Sequence, residues 1–125
     1  MNSRPKQFCG KVRMTPDNRT TWNYHFPEFM LRSSVSQTSK IIYMMLYDRA
    51  QGPEKNLLLD NEGNIYVNYP LSDLVLDSGR SISAVKIALN ELVAAGLLEK
   101  EPGEGGKPNR LYVLIQPDYD HWALR

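Results

Sequence analysis

The chain contains 125 residues, of which 42% are hydrophobic and 23% charged, and its formal net charge is +1. This composition is typical of one soluble globular domain and excludes a fibrous or disordered protein. No apolar run is long enough to cross a bilayer and the chain does not open on a charged-then-apolar leader, so we expect no membrane partner. Because Cys9 is the sole cysteine, an internal disulfide is excluded, and we expect a reducing, cytoplasmic location.

Charge is distributed unevenly along the chain. Residues 1–32 carry six basic and two acidic side chains, whereas residues 33–125 carry nine basic and twelve acidic ones. A basic arm on a mildly acidic body is one arrangement found in nucleic-acid-binding proteins, although short basic termini also occur on proteins without that role. Residues 1–21 are polar and lack periodicity, so they predict an extended basic arm.

The first part of the body predicts an aromatic segment followed by a helix. Aromatic residues recur from Trp22 to Phe29, which suits a strand or an extended segment lying on the core. Ser36 can cap a helix that runs to Ala50, with Ile42, Tyr43 and Leu46 at helical spacing.

The middle of the chain predicts a strand and two further helices. A turn at residues 60–63 precedes a β-rich run over residues 65–69, and Pro70 can open a short helix. Ser81 can cap a longer helix that Gly96 closes. Its predicted buried face comprises Val85, Ala88, Leu89, Leu92 and Val93.

Two strands, over residues 97–101 and 110–115, then flank a glycine-rich turn at residues 102–108, and residues 116–125 form a C-terminal tail. The full order is helix, strand, short helix, tight turn, longer helix and β-hairpin. This is the order of a winged helix-turn-helix, an α+β fold with a three-helix core and a hairpin wing. We therefore predict a winged-helix DNA-binding domain over residues 22–115.

The longer helix is the candidate DNA-reading element, because the second helix of such a unit enters the major groove by its N-terminal end. Its outward face contains no acid before Glu91, and side chains such as Arg80 and Asn90 can make bidentate contacts with bases. The predicted DNA-binding residues are Arg80, Ser83, Ala84, Lys86, Ile87 and Asn90 on the helix, and Lys107, Asn109 and Arg110 on the wing. The alternative is a solvated face that lacks acids by chance, and Glu99, Glu101 and Glu104 cancel the wing's positive charge.

No pattern in the sequence indicates catalysis, a metal or a cofactor. Residues 103–107 resemble a phosphate-binding loop, but Pro108 and a strand follow the lysine where that motif needs Ser or Thr and a helix. His25 and His121 have no partners at metal-ligand spacing, so a DNA-nicking tyrosine would lack a clustered metal site. We therefore expect a protein that is not an enzyme.

Three stretches carry a resemblance to a known family. They are the helix run Tyr43-x-x-Leu46-x-Asp48-Arg49, the turn Asp60-x-x-Gly63-x-x-Tyr66, and the wing, where Gly96-Leu97-Leu98-Glu99 precedes the run from Gly106 to Val113. In this order and spacing they resemble the N-terminal domain of plasmid replication initiator A (RepA) proteins of Gram-positive bacteria, over roughly residues 24–115.

The resemblance implies a winged-helix homodimer that binds repeated double-stranded DNA sites at a plasmid origin and starts replication without nicking. It places Lys107, Asn109, Arg110 and the helix that begins at Ser81 at the DNA. The wing departs from the family pattern, because Glu101, Pro102 and Glu104 stand where Lys and Arg are usual. The family's separate C-terminal domain, implied to recruit host replication proteins, has no room in 125 residues, so we expect an excised domain or a small relative that only binds DNA.

Two other functions fit the same fold. A transcriptional regulator would use the same DNA-binding elements, and the fold alone does not separate it from an initiator. A winged-helix module that binds protein would suit the acidic wing and the near-neutral body. The aromatic segment at residues 22–29 is our candidate for a dimer surface.

Overall fold

The computed structural model describes residues 11–19 and 23–116. The main elements are α1 (Gln37–Ala50), β1 (Leu58–Leu59), β2 (Ile65–Tyr66), α2 (Leu71–Ser78), α3 (Ile82–Ala94), β3 (Leu98–Glu101) and β4 (Arg110–Val113). This order confirms the predicted winged helix-turn-helix, with β3 and β4 as the wing. Cys9, Trp22, most of the predicted arm and nearly all of the predicted tail lie outside the described residues. Within the described ranges, no helix is both long enough and apolar enough to span a membrane.

The helix ends follow the local signals of the sequence. The side chains of Ser36 and Ser81 accept hydrogen bonds from the backbone N–H groups of Ser39 and Ala84, respectively, which satisfies donors that have no partner within each helix. Gly79 ends α2 in the left-handed region, with φ at 72°. Residues with a side chain rarely adopt this backbone conformation, so glycine at this position allows the tight turn into α3.

The two hairpins are joined into one unit. β1 pairs antiparallel with β2, and β3 pairs antiparallel with β4. An additional bridge links Val67, just after β2, to Leu111 in β4, with N–H···O distances of 2.8 and 3.0 Å. The wing is therefore held at its base by the first hairpin as well as by the helices.

The core lies between the three helices and the inner side of the wing. It includes Ile42, Tyr43, Leu46, Leu74, Val85, Leu89, Leu92, Leu98 and Leu111. Tyr43 is fully buried, and its hydroxyl donates to the Leu114 carbonyl at 2.7 Å, so the burial of this polar group is compensated. Helical packing and wing packing thus share one core.

Three expectations about local structure are wrong. Phe29 lies in a 3₁₀-helix over Glu28–Arg32 rather than in an extended segment, because Pro27 begins a turn that inserts Met30 into the core. The strand predicted at residues 65–69 stops at Tyr66, and only the single Val67 bridge continues it. Val93 is 42% exposed, because at about 100° per residue it lies at one edge of the apolar stripe of α3.

Glu91 connects α3 to the first turn of α1. Its carboxylate accepts hydrogen bonds from the backbone N–H of Ser36, from the Ser36 hydroxyl at 2.8 Å and from the Ser39 hydroxyl. These bonds, above all the one from Ser39, lower the pKa of Glu91. A carboxylate at a helix N-terminus is also favoured by the helix dipole, so this contact fixes the rotation of α3 against α1.

We expect Glu91→Gln to weaken the pH dependence of stability at acid pH. Because the pKa of Glu91 is lower in the folded state, its contribution is present above the ordinary value of about 4.5 and is lost as pH falls through the folded pKa. Urea unfolding between about pH 6 and pH 3 should therefore show a steeper fall for the wild type than for E91Q. Glu54→Gln at an exposed site is the control. Equal falls in E91Q and the wild type would contradict the contact.

Candidate nucleic-acid interface

The outward face of α3 is open and carries most of the predicted DNA-binding side chains. The exposed members are Arg80, Ser83, Lys86, Ile87 and Asn90, whereas Ala84 is half-buried. Ile87 is 68% exposed, so an apolar side chain lies among the polar ones of this face. The first acid of this helix, Glu91, is bound to α1 and does not lie on this face.

The N-terminus of α3 is electrostatically suited to an anion. Its first turn contains no acidic residue. The Ser81 hydroxyl oxygen accepts a hydrogen bond from the backbone N–H of Ala84 at 3.1 Å. Arg80 is exposed immediately before this cap. The positive end of the helix dipole is therefore not neutralised by a neighbouring carboxylate in its own first turn.

A cleft of about 500 Å³ separates α3 from the wing. Lys86 and Asn90 line it from α3, and Lys100 and Asn109 line it from the wing. Its floor is largely apolar and includes Leu74, Leu89 and Leu111. No acidic side chain is among its lining residues. The cleft thus combines two cations and two amides above an apolar base.

A hydrogen-bonded aromatic residue supports the floor of this cleft. The Tyr69 hydroxyl donates to the Asp77 carboxylate at 2.6 Å, and the Arg49 guanidinium lies 3.7 Å from the centre of the Tyr69 ring. Arg49 also donates to the Asn68 carbonyl at 3.0 Å. Burial and the bond to Asp77 raise the pKa of Tyr69, so this residue remains a neutral hydrogen-bond donor. These contacts link the segment just before α2 to the last turn of α2, next to the tight turn that leads into α3.

The two faces of the wing differ in charge. In the strand register Lys100 lies opposite Leu111, whereas Glu101 lies opposite Arg110, and opposite residues of antiparallel strands share a face. Lys100 therefore lies on the cleft side, and the acids Glu99 and Glu101 lie on the other side. Glu99, Lys100 and Glu101 alternate in charge along the strand, which is consistent with this division, but Lys100 is not among the predicted binding residues.

Arg110 does not line the cleft. Its guanidinium lies 4.6 Å from the centre of the Tyr66 ring on the acidic face of the wing, and a hydrogen bond with Tyr112 raises its pKa. Lys107 is exposed at the end of the turn, and Asn109 reaches the cleft. The structure thus brings together Lys86, Asn90 and Asn109, and separates Arg110 from them.

The glycines of the wing tip have structural roles. Gly105 and Gly106 adopt positive φ angles of 60° and 80°, as expected for a hairpin tip. Gly103 has an ordinary φ of −72°, but a Cβ there would lie 2.2 Å from the Pro108 carbonyl oxygen. Gly103 therefore allows the two sides of the wing tip to approach closely.

The structure brings together no metal-binding cluster of three or more His, Cys, Asp or Glu residues in its described ranges. His25 contacts Asp48 through both its backbone N–H, at 2.9 Å, and its ring Nδ1, at 2.7 Å. This contact ties the segment before the 3₁₀-helix to α1. We assign His25 a structural role.

A family model assigns the chain. The model described as "Replication initiator protein A (RepA) N-terminus" matches residues 23–118, about the length of the winged-helix domain. The chain belongs to the RepA N-terminal family. This match confirms the family that the sequence resemblance indicates. Residues 23–118 thus correspond to the N-terminal domain of a replication initiator. No curated protein is matched by the chain.

Three solved structures resemble this RepA N-terminal domain over 91% of its chain. "N-Terminal domain of DNA binding protein" has a TM-score of 0.68 at 25% identity, with 92% of that chain covered. "Structure of Rep-DNA complex" has a TM-score of 0.66 at 25% identity, also with 92% covered. "Structure of MDR initiator" has a TM-score of 0.64 at 27% identity, with 95% covered.

Ser81 and Ser83 should differ in their contribution to the stability of the fold. Ser81→Ala removes the cap of α3 and should lower the free energy of unfolding by about 1 kcal/mol, whereas exposed Ser83→Ala should leave it within about 0.5 kcal/mol of the wild type. Urea denaturation of the two variants measures the difference. Equal stability of S81A and S83A would contradict the capping role.

Proposed function

We propose that this RepA domain binds double-stranded DNA sequence-specifically at the origin of a plasmid or mobile element, as a homodimer, to start replication. The observation that carries the proposal is the acid-free surface formed by the outward face of α3 and the adjoining cleft. Lys86 and Lys100 lie on opposite sides of that cleft. A polyanion is the ligand that such a surface attracts.

Base recognition is assigned to Arg80, just before α3, and to the outward face of α3 as far as Asn90. Arg80 and Asn90 have planar side chains that pair bidentately with guanine and adenine edges, respectively. The small side chains of Ser83 and Ala84 permit a close approach of the helix backbone to the groove. Ile87 offers an apolar contact for a thymine methyl group.

Phosphate contacts are assigned to the cleft and to the wing tip. When α3 lies in the major groove, a sugar-phosphate strand beside that groove faces the cleft between α3 and the wing. Lys86 and Lys100 would then contact phosphates from the two sides, and Asn109 and Lys107 would extend the contact along the wing. Such contacts fix the register of the protein on the duplex.

The remaining parts of the proposal concern the assembly. We propose a non-catalytic initiator that acts in the cytoplasm and does not nick a DNA strand. The segment at residues 22–29 remains the candidate dimer surface, and the arm at residues 1–21 a candidate for further phosphate contacts. Host replication proteins would be recruited through a region outside this chain.

A protein-binding role is the second candidate, and the acidic outer face of the wing favours it. Footprinting on DNA from the element's own origin distinguishes the possibilities. Protection of tandem direct repeats supports an initiator, and protection of a promoter palindrome supports a transcriptional regulator. No protection of any duplex, together with a folded protein, would leave the protein-binding module.

Removing the cleft lysines should reduce the salt dependence of DNA binding. Each of Lys86→Ala and Lys100→Ala should lower the slope of log K against log salt by about one, because each lysine displaces about one counterion. Titrations of origin duplex at several salt concentrations measure the slope. Lys55→Ala, at an exposed site in the loop before β1, is the control. An unchanged slope in K100A would remove the cleft from the DNA-binding surface.

Arg80→Ala should weaken specific binding more than non-specific binding. Loss of a bidentate base contact costs about 1–3 kcal/mol of discrimination at one position. Competition between cognate and random duplexes at fixed salt measures this ratio. If R80A discriminates as well as the wild type, Arg80 does not contact a base.

A further inference from the structure

The described residues include a second cluster of aromatic and charged side chains, on the side of the wing opposite the cleft. It consists of Asp60, Tyr66, Arg110 and Tyr112, which we call the wing brace. Tyr66 belongs to the first hairpin, whereas Arg110 and Tyr112 belong to the wing. The Val67–Leu111 bridge aligns the two hairpins and brings these side chains onto one face.

The contacts of the brace connect the two hairpins at three points. The Arg110 guanidinium lies 4.6 Å from the centre of the Tyr66 ring. The Tyr66 and Tyr112 rings lie 6.2 Å apart at an angle of 50°. The Tyr112 hydroxyl donates to the Asp60 carboxylate at 3.0 Å. Asp60 also accepts from the backbone N–H groups of Glu62 and Asn64, so the turn between β1 and β2 is rigidly tied to the wing.

Arg110 lies on the face of the wing that carries its acidic residues. Glu101 lies opposite Arg110 in the strand register, and Glu104 is close enough to favour the charged guanidinium. Arg110 is also half-buried, whereas Lys107 at the tip is exposed. A phosphate approaching Arg110 would meet these carboxylates, which oppose its binding.

We propose that Arg110 is a positioning residue, which orients the wing relative to α3 by stacking on Tyr66 rather than by contacting DNA. The inference rests on the proposed DNA-binding function for its effect on affinity. The brace holds the wing from the side opposite the cleft, so it sets the distance between Lys100 on the wing and Lys86 on α3. This assignment replaces the direct contact expected from the sequence.

The test separates the effect of the planar Arg110 side chain from the effect of its positive charge. Arg110→Lys keeps the charge but loses the planar stacking and the fork of donors. If Arg110 positions the wing, R110K and R110A should both weaken binding of origin duplex by about three- to tenfold, with a salt slope equal to that of the wild type. Tyr66→Ala should cause a similar loss that is not additive with R110A. Tyr66→Phe, which keeps the ring, is the matched control.

A second measurement needs no DNA. Amide hydrogen exchange of residues 98–101 and 110–113 should be faster in R110A, R110K and Y66A than in the wild type and Y66F. If the wild type binds no duplex, the proposed function fails while the exchange rates still test the brace. If the slope of log K against log salt is lower by about one in R110A and binding is restored in R110K, Arg110 contacts a phosphate directly and the proposal is overturned. Unchanged exchange in all three variants would also overturn it.

Discussion

The functional surface depends on how α3 is rotated against α1. Glu91 on α3 accepts hydrogen bonds from Ser36 and Ser39 at the start of α1, while Val85 and Leu92 fill the core beside it. Together these contacts determine which side chains of α3 face outward. They also bind the only acid of α3 to a helix N-terminus, where its charge is favourable and is directed away from the outward face.

The wing is positioned by two packed faces with different chemistry. The inner face contributes Leu98 and Leu111 to the core and places Lys100 at the cleft. The outer face carries the acids and the stacked pair of Arg110 and Tyr66. A hairpin with a neutral overall charge therefore presents positive charge to the cleft and negative charge away from it. Net charge alone hides this division, which is why the acidic residues of the wing do not argue against DNA binding at the cleft.

Much of this architecture could be predicted because its signals are local. Ser36 and Ser81 mark the starts of α1 and α3, and Gly79 ends α2 at the tight turn, each through contacts or dihedral angles within a few residues. The sequence does not predict strand β1, because this strand has only two residues, both exposed, and no alternation. The arrangement of the site residues follows less directly from the sequence than the fold does. The places of Lys100 and Arg110 depend on strand register and on the bridge between Val67 and Leu111, which are long-range features that composition does not encode.

The central claim is that the outward face of α3 and the cleft beside it meet a DNA duplex. Backbone amide chemical shifts of the wild-type protein, recorded with and without duplex from the neighbouring origin, test this claim most directly. We predict the largest changes at residues 80–90, at Lys100 and at residues 107–109, with small changes on the outer face of the wing. Changes confined to the outer face of the wing or to the β1–β2 hairpin, with α3 unaffected, would contradict it.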